Sequence, residues 1–349
     1  MAIQHSPGVV ASRDDFLEAL MNFAAANAGF TRLADDTSGA QRLYRLSRAG
    51  DADTYWCFRA RTGTSHKYGL HRMEARMMTI AASYAQFSAS GNGQPYLTVA
   101  DTYSYADTYT GYTFYSDGNN VFAILEVRQN VFTMLGFGKM IKTYLFDGGE
   151  FLVCNNYARQ NVNITDAYYG LDSSASFSYS NMLFGARSSS YSAVISTPAS
   201  PNNGGTGALR TAITGDAAQQ FYTMGYDSAN GNDPATCAGT VPPANRDASF
   251  NKSPFNSDLF YRLGIAGKNS GILRAPLFPI YILLRNPSVS NTLFIAGYID
   301  NLRIVNMVNF NARDITLTDW RVFPYCSKTG DNKTHPLTYD YGFAFKEIP

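Results

Sequence analysis

Charged residues are scarce in this sequence, and their signs nearly cancel. Lysine, arginine, aspartate and glutamate make up 16% of the 349 residues and give a formal net charge of +1, whereas typical soluble proteins carry about 25% charged residues. No run of Lys or Arg exceeds two residues, so the basic footprint of a DNA-binding protein is missing. The composition therefore argues against nucleic acid as a partner, and uncharged polar residues must cover much of the surface.

Long apolar runs are also missing. The first ten residues lack the basic start and the apolar core of about 7–15 residues that a secretory signal needs. No stretch approaches the roughly 20 apolar residues of a membrane span. We therefore expect a protein that is made in the cytoplasm and does not insert into a membrane.

Cysteine and histidine are too few and too scattered to indicate a metal site. The four cysteines form no Cys-x-x-Cys pair, and the four histidines form no His-Glu-x-x-His or His-x-His pattern. Cys57 and Cys154 lie in apolar runs, which favours buried, unreactive thiols. The sequence leaves open whether Cys237 and Cys326 form a disulfide. We expect no metal and no cofactor.

Catalytic motifs are absent too. The sequence has no Gly-x-Ser-x-Gly elbow, and Gly136-Phe137-Gly138-Lys139 lacks the remaining residues of a phosphate-binding loop, so it is better interpreted as a strand bend. A glycoside-cleaving enzyme needs two carboxylates some 5–9 Å apart. Four acidic residues could supply them: Asp101, Asp107, Asp117 and Glu126. Isolated acidic residues between strands, however, usually cap helices or stabilise turns. We predict no catalytic residue and a protein that is not an enzyme.

One segment has the pattern of a helix. Ser12 is a good N-cap, apolar residues follow at helical spacing, and Gly29 supplies a stop. The pattern predicts a helix over roughly 13–28.

The rest of the chain favours β-structure. Aromatic residues reach 14%, and Asp117-Gly118 between two apolar runs is a strong hairpin signal. The expected strands are Phe30–Leu33, Arg42–Arg48, Thr54–Ala60, Met77–Phe87, Tyr112–Tyr115, Val121–Val127, Val131–Phe137, Phe151–Cys154, Gly271–Arg285, Thr292–Val308, Ile315–Phe323 and Tyr339–Ile348. Met73–Phe87 would also suit a helix, and the prolines of Gly271–Arg285 confine it to an edge or a bulged path. These patterns predict a mainly β protein with an antiparallel, sandwich-like core.

The middle of the chain differs in composition. Residues 1–158 are expected to hold the helix and the β core, 159–260 a loop-rich insertion of Ser, Asn, Gly and Tyr, and 261–349 the strands that complete the core. Because the insertion is rich in aromatic anchors, we predict that it is ordered and faces a partner. Its candidate interface residues are Tyr179, Phe184, Tyr191, Phe221, Tyr222 and Tyr226.

The hairpin region and several segments around it form a recognisable set of motifs. They are Tyr112–Val127, the turn Gly136-Phe137-Gly138 and the segment Gly148-Gly149-Glu150-Phe151, together with Gly29-Phe30-Thr31. Two late segments belong to the set as well, Asp300-Asn301-Leu302-Arg303 and Trp320-Arg321-Val322-Phe323-Pro324. In these motifs the chain resembles a family of virion structural proteins of tailed bacteriophages. The resemblance covers the N-terminal half and about the last fifty residues, and it implies a structural role in the tail or baseplate.

The expected function is therefore that of a non-enzymatic virion subunit that binds other virion proteins and copies of itself. The aromatic insertion leaves open a receptor-binding adhesin that contacts a host surface glycan. A neck, collar or capsid decoration protein and a depolymerase are further alternatives.

Overall fold

The computed structural model describes most of both ends of the chain and short strands of its middle. The described residues are 4–50, 54–62, 71–78, 80–88, 97–101, 111–128, 131–155, 194–195, 209–213, 220–223, 277–285, 293–307, 310–316, 318–324 and 341–347. Cys237 and Cys326 lie outside these ranges.

Two helices and nineteen strands are formed by the described residues. The helices are α1 (Arg13–Asn27) and α2 (Tyr84–Ser88). The strands are β1 (Gln4–Gly8), β2 (Phe30–Arg32), β3 (Asp36–Ser38), β4 (Gln41–Arg48), β5 (Tyr55–Thr62), β6 (His71–Met78), β7 (Leu97–Asp101), β8 (Gly111–Ser116), β9 (Val121–Arg128), β10 (Val131–Lys139), β11 (Ile141–Lys142), β12 (Glu150–Asn155), β13 (Val194–Ile195), β14 (Leu209–Ile213), β15 (Gln220–Thr223), β16 (Leu277–Arg285), β17 (Leu293–Asn306), β18 (Trp320–Pro324) and β19 (Tyr341–Lys346).

These strands build three sheets, here called the N-terminal, central and C-terminal sheets. The N-terminal sheet has the order β2-β4-β5-β6-β7, with β3 added to β4; the central sheet has the order β1-β8-β9-β10-β12-β14. The C-terminal sheet runs β13-β15-β16-β17-β19-β18, and β11 pairs with β17 beside it. Every strand pairing among the described residues is antiparallel. The predicted mainly β class is confirmed.

Helix α1 forms as its sequence predicts. The Ser12 hydroxyl accepts a hydrogen bond from the backbone N–H of Asp15 at 3.1 Å, which caps the first turn. The last helical residue is Asn27, and Gly29 adopts a φ of +66°, a conformation that costs glycine little. The buried stripe of the helix, which includes Phe16 and Leu20, packs between the N-terminal and central sheets.

The central sheet is buried on both faces, which makes it the middle layer of the molecule. Its Leu135 and Phe137 belong to the core shared with α1 and the N-terminal sheet, whereas its Phe122 and Met134 belong to the core shared with the C-terminal sheet. Successive strand residues point to opposite faces, so near-continuous apolar runs are needed in a layer covered on both sides. The aromatic richness of residues 112–154 thus serves the interior.

The β8–β9 hairpin turn joins all three sheets through polar contacts. Asp117 accepts hydrogen bonds from the backbone of Asn119 and Asn120, at 2.8 and 2.6 Å, and from the side-chain amide of Asn301 on β17, at 2.9 Å. Arg48 on β4 donates to the backbone and side-chain oxygens of Asn119, both at 2.8 Å. The turn that marks the hairpin in the sequence is therefore also the point where the three layers are tied together.

Several sequence-based boundaries were wrong. A strand was expected over Met77–Phe87, but β6 ends at Met78 and α2 follows it. Phe87 packs from α2 onto the outer face of the N-terminal sheet, so it covers the sheet and does not extend a strand. In the segment Ile315–Phe323 the strand begins only at Trp320.

Other strands differ in how far the sequence predicted them. β16 lies between β15 and β17, but β15 pairs only with its residues 282–285, so Pro279 pairs with β17 alone among the described strands. A register shift follows directly after Pro279, which agrees with the predicted edge or bulged path. The sequence reading missed β1 and β7. Residues 159–260 supply β14 to the central sheet and β15 to the C-terminal sheet.

Candidate interaction surface

The six candidate interface residues divide into two groups. Phe221 and Tyr222 lie on β15, where Phe221 is opposite Leu284 and Tyr222 is opposite Leu283 of β16. The other four lie outside the described residues: Tyr179, Phe184, Tyr191 and Tyr226. The described part of the insertion therefore places two of the candidates within the C-terminal sheet.

The candidate carboxylates do not form a glycoside-cleaving pair where they are described. Asp117 sits in the hairpin turn, fully engaged by N–H donors, and Glu126 lies near the far end of β9. The step from Val121 to Glu126 alone spans roughly 17 Å, which exceeds the separation that glycoside cleavage requires. Glu126 is buried, with a side chain only 7% exposed, and forms an ion pair with Arg313. Asp107 lies outside the described residues, as does the side chain of Asp101.

The Gly136–Lys139 segment lies inside β10 in unbroken register with β12, and its glycines allow neighbouring atoms to approach closely. A Cβ atom on Gly136 would lie 2.6 Å from the ring of Phe122, and one on Gly138 would lie 2.3 Å from Oδ1 of Asn120. Gly138 also has a φ of +147°. Asn120 Oδ1 accepts a hydrogen bond from the backbone N–H of Lys139 at 2.8 Å. Glycine is required here by packing against the hairpin turn.

The described ranges contain neither a metal-binding cluster nor a membrane-spanning helix. Within them, no three His, Cys, Asp or Glu residues are grouped in a way that could hold a metal ion. No helix of the described residues is long and apolar enough to cross a membrane. Cys57 is buried, and burial raises the pKa of its thiol to about 12.

The outer face of the C-terminal sheet carries a row of half-buried aromatic and cationic side chains, here called the aromatic strip. Its members are Tyr281, Tyr298, Arg303, Trp320 and Lys346. Tyr281 lies opposite Tyr298, and Trp320 lies opposite Lys346. Arg303 joins the two pairs, because its guanidinium lies over the rings of both Tyr298 and Trp320. The opposite face of this sheet packs on the central sheet. The strip's own face is partly covered, because Trp320 packs against a buried cluster that includes Val322 and Phe310.

Arg303 is the centre of the strip. Its guanidinium carbon lies 5.0 Å from the ring centre of Trp320 and 6.0 Å from that of Tyr298, both within the range of cation–π attraction. Burial lowers the pKa of Arg303. Its nearest carboxylate, on Asp300, is 3.8 Å away. Trp, Tyr and Arg are the residues that most often dominate binding energy at protein interfaces.

A second exposed feature is the knob loop, residues 141–147, between β10 and β12. Leu145 is 94% exposed, and Tyr144 and Ile141 are 44% and 39% exposed. Asp147 is exposed beside them. The loop therefore places apolar side chains in solvent together with one cation, Lys142, and one carboxylate, Asp147.

The knob loop is held in place by its backbone. Thr143 donates its N–H to Ala296 O at 2.8 Å and its hydroxyl to Ile295 O at 2.6 Å. Lys142 Nζ donates to Phe146 O at 2.8 Å, and the Phe146 ring is buried. The exposure of Leu145 is thus a property of an anchored loop, which is the preorganisation that favours binding.

The knob loop and the strip are continuous. Ile141 of β11 lies directly opposite Tyr298 of β17, and directly opposed strand residues place their side chains on the same face. A connected row of partly buried side chains therefore runs from the knob loop through Tyr298 and Arg303 to Trp320.

Sequence reasoning missed this surface. The run Tyr144-Leu145-Phe146 was a visible signal, but periodicity does not tell which of its side chains is buried. Arg303 and Trp320 belong to the segments that carry the family resemblance, yet only the fold shows that they meet.

No family model matches the chain, and no curated protein matches it.

Proposed function

We propose that this chain is a non-enzymatic structural subunit of a tailed-phage particle, in the tail or baseplate region, that binds other particle proteins and copies of itself. The observation that carries the proposal is the continuous surface of knob loop and aromatic strip. Exposed apolar side chains that are grouped together often mark sites of protein–protein contact.

The energetics of Leu145 support an assembly role. A side chain that is 94% exposed contributes almost nothing to the stability of the isolated chain. Burying it against a partner would gain about 2 kcal/mol. Together with the aromatic strip, this favours a surface for protein contacts. The family resemblance of the hairpin region favours the tail or baseplate as the place.

Purified particles test the proposal. Quantitative mass spectrometry should detect the chain at a fixed copy number per particle, and a particle reconstruction should place it in the tail or baseplate. Absence of the chain from purified particles would overturn the proposal. Density in the neck, in the collar or on the capsid would keep the structural role and move its location.

A receptor-binding adhesin is the second candidate, and the aromatic strip is the observation that favours it. Sugar rings stack on Trp and Tyr faces, and Trp320 and Tyr298 are both partly exposed beside Arg303. An excess of purified protein should then reduce attachment of the phage to its host cells. Unchanged attachment would exclude this candidate.

A further inference from the structure

The sequence contains two Asp-Gly pairs, and the fold gives them opposite environments. They are Asp117-Gly118 in the β8–β9 turn and Asp147-Gly148 where the knob loop ends. In such a pair the aspartate carboxyl can react with the backbone nitrogen of the glycine, which has no side chain to obstruct the approach. Whether the reaction occurs in the folded chain depends on whether the two groups are free to meet.

Both reacting groups of Asp117-Gly118 are held by hydrogen bonds. Oδ1 of Asp117 accepts from two backbone N–H groups of the same turn, at 2.8 and 2.6 Å. Its Oδ2 accepts from two side-chain amides, one of which, on Asn301, lies 2.9 Å away. The Gly118 N–H donates to Ser116 Oγ at 3.0 Å. The Asp117 carboxyl therefore cannot approach the Gly118 nitrogen unless the turn opens.

Neither reacting group of Asp147-Gly148 is held in this way. The Asp147 side chain is exposed. No described residue forms a hydrogen bond or an ion pair with its carboxylate, and none accepts a hydrogen bond from the Gly148 N–H. The nearby anchor of the loop binds other atoms, because Lys142 Nζ donates to the carbonyl oxygens of Phe146 and Gly148, at 2.8 and 3.2 Å. The Asp147 carboxyl is therefore free to reach the Gly148 nitrogen.

We propose that Asp147 is a site of spontaneous aspartate isomerisation in the folded protein, and that Asp117 is protected from it. The Gly148 nitrogen attacks Cγ of the protonated Asp147 carboxyl. An N–Cγ bond forms, the Cγ–OH bond breaks, and the hydroxyl leaves with the amide proton as one water. Water then adds to the backbone carbonyl carbon of Asp147 in the resulting ring, and the bond from that carbon to the Gly148 nitrogen breaks. The product is isoaspartate, which has the mass of aspartate.

The product changes the geometry of the knob loop. Isoaspartate adds one carbon to the main chain between Phe146 and Gly148, whose carbonyl groups Lys142 holds, and it moves the carboxylate onto Cα. Both changes lie close to the exposed side chain of Leu145. The site goes beyond the proposed assembly role and does not depend on it.

Peptide mapping of the full chain tests the proposal. The folded chain is incubated in mildly acidic buffer and digested, and electron-transfer fragmentation distinguishes isoaspartate from aspartate in each peptide. Reaction at Asp117 requires several hydrogen bonds to be released first, so isoaspartate should form at least about tenfold faster at position 147. Three Asn-Gly pairs in the sequence can give the same product, so each peptide is measured separately.

Two controls separate the effect of the fold from that of the local sequence. In urea the β8–β9 turn is lost, and the two Asp-Gly pairs of the full chain should react at similar rates. The variant Asp147→Glu retains a carboxylate, but its ring would have one more member and forms more slowly, so its peptide should stay unmodified in the folded chain. Circular dichroism checks that this variant folds.

Three results would overturn the proposal. The first is an equal rate at positions 117 and 147 in the folded chain. The second is the same ratio of rates in urea as in the folded chain, because the local sequence would then explain the difference. The third is a folded chain unmodified at position 147 under incubation that modifies it in urea. None of these results bears on the presence of the chain in particles, which tests the proposed function.

Discussion

Replacing Gly138 with alanine tests how tightly the hairpin turn is packed against the neighbouring strand. The added Cβ would lie 2.3 Å from Asn120 Oδ1, 2.7 Å from Asn119 O and 2.8 Å from Asn120 Cα, and the φ of +147° is unfavourable for alanine. We expect about 1–3 kcal/mol from the backbone conformation and about 1–3 kcal/mol from overpacking. Loss of the Lys139–Asn120 hydrogen bond adds about 1 kcal/mol. The free energy of unfolding should therefore fall by about 3–7 kcal/mol.

Gly50→Ala is the matched control for Gly138→Ala. Gly50 also has a positive φ, +86°, but no atom lies within 4 Å of its would-be Cβ, so only the conformational cost of about 1 kcal/mol remains. Urea denaturation followed by tryptophan fluorescence measures both variants. Equal destabilisation of the two, within about 0.5 kcal/mol, would refute the claim that packing against the turn requires glycine at position 138.

Three further predictions concern the core, a surface ion pair and a thiol. Phe137→Ala removes a fully buried ring from the core and should lower the free energy of unfolding by about 3–5 kcal/mol. Leu145→Ser should change it by less than about 0.5 kcal/mol. A large loss of stability for Leu145→Ser in urea denaturation would contradict the exposure of Leu145. The hydrogen bond from Arg32 holds the pKa of Glu18 below its usual 4.5. The stability that Glu18 contributes is therefore present above pH 4.5 and is lost as the pH falls through the lower pKa of the folded state. The free energy of unfolding, measured between about pH 5 and pH 3, should depend less on pH for Glu18→Gln than for the wild type, and equal slopes would exclude a stabilising role of the Glu18–Arg32 pair. Burial raises the pKa of Cys57 to about 12, so its thiol should resist alkylation at about pH 8 in the folded chain and react after unfolding. Peptide mapping measures the labelling, and rapid labelling of Cys57 in the folded chain would contradict its burial.

The sequence was most informative where local signals and burial agree. Helix α1 was predictable because the Ser12 cap and the glycine stop at position 29 act locally. The β8–β9 hairpin was predictable because Asp117-Gly118 has strong turn chemistry. Neither signal depends on the rest of the fold.

Layering and exposure could not be predicted from the same patterns. The sequence of β9 does not tell which elements cover its two faces. In the structure, α1 and the N-terminal sheet cover one face and the C-terminal sheet covers the other. Phe87 was misassigned to a strand because its apolar character suited either element. The surface was missed because Ile141 and Tyr298 are 157 residues apart in sequence (298 minus 141) and meet only through a two-residue strand.

The most direct test of the central claim, that the knob loop serves assembly, is the copy number of the Leu145→Ser chain in particles. Under the proposed phage role, a phage that lacks the gene would be complemented with the wild-type, Leu145→Ser or Val9→Ser chain. The number of copies of the chain per particle would be measured by quantitative mass spectrometry. We predict that Val9→Ser equals wild type, while the folded Leu145→Ser chain falls at least about tenfold. Incorporation of the Leu145→Ser chain at the wild-type copy number would contradict the account.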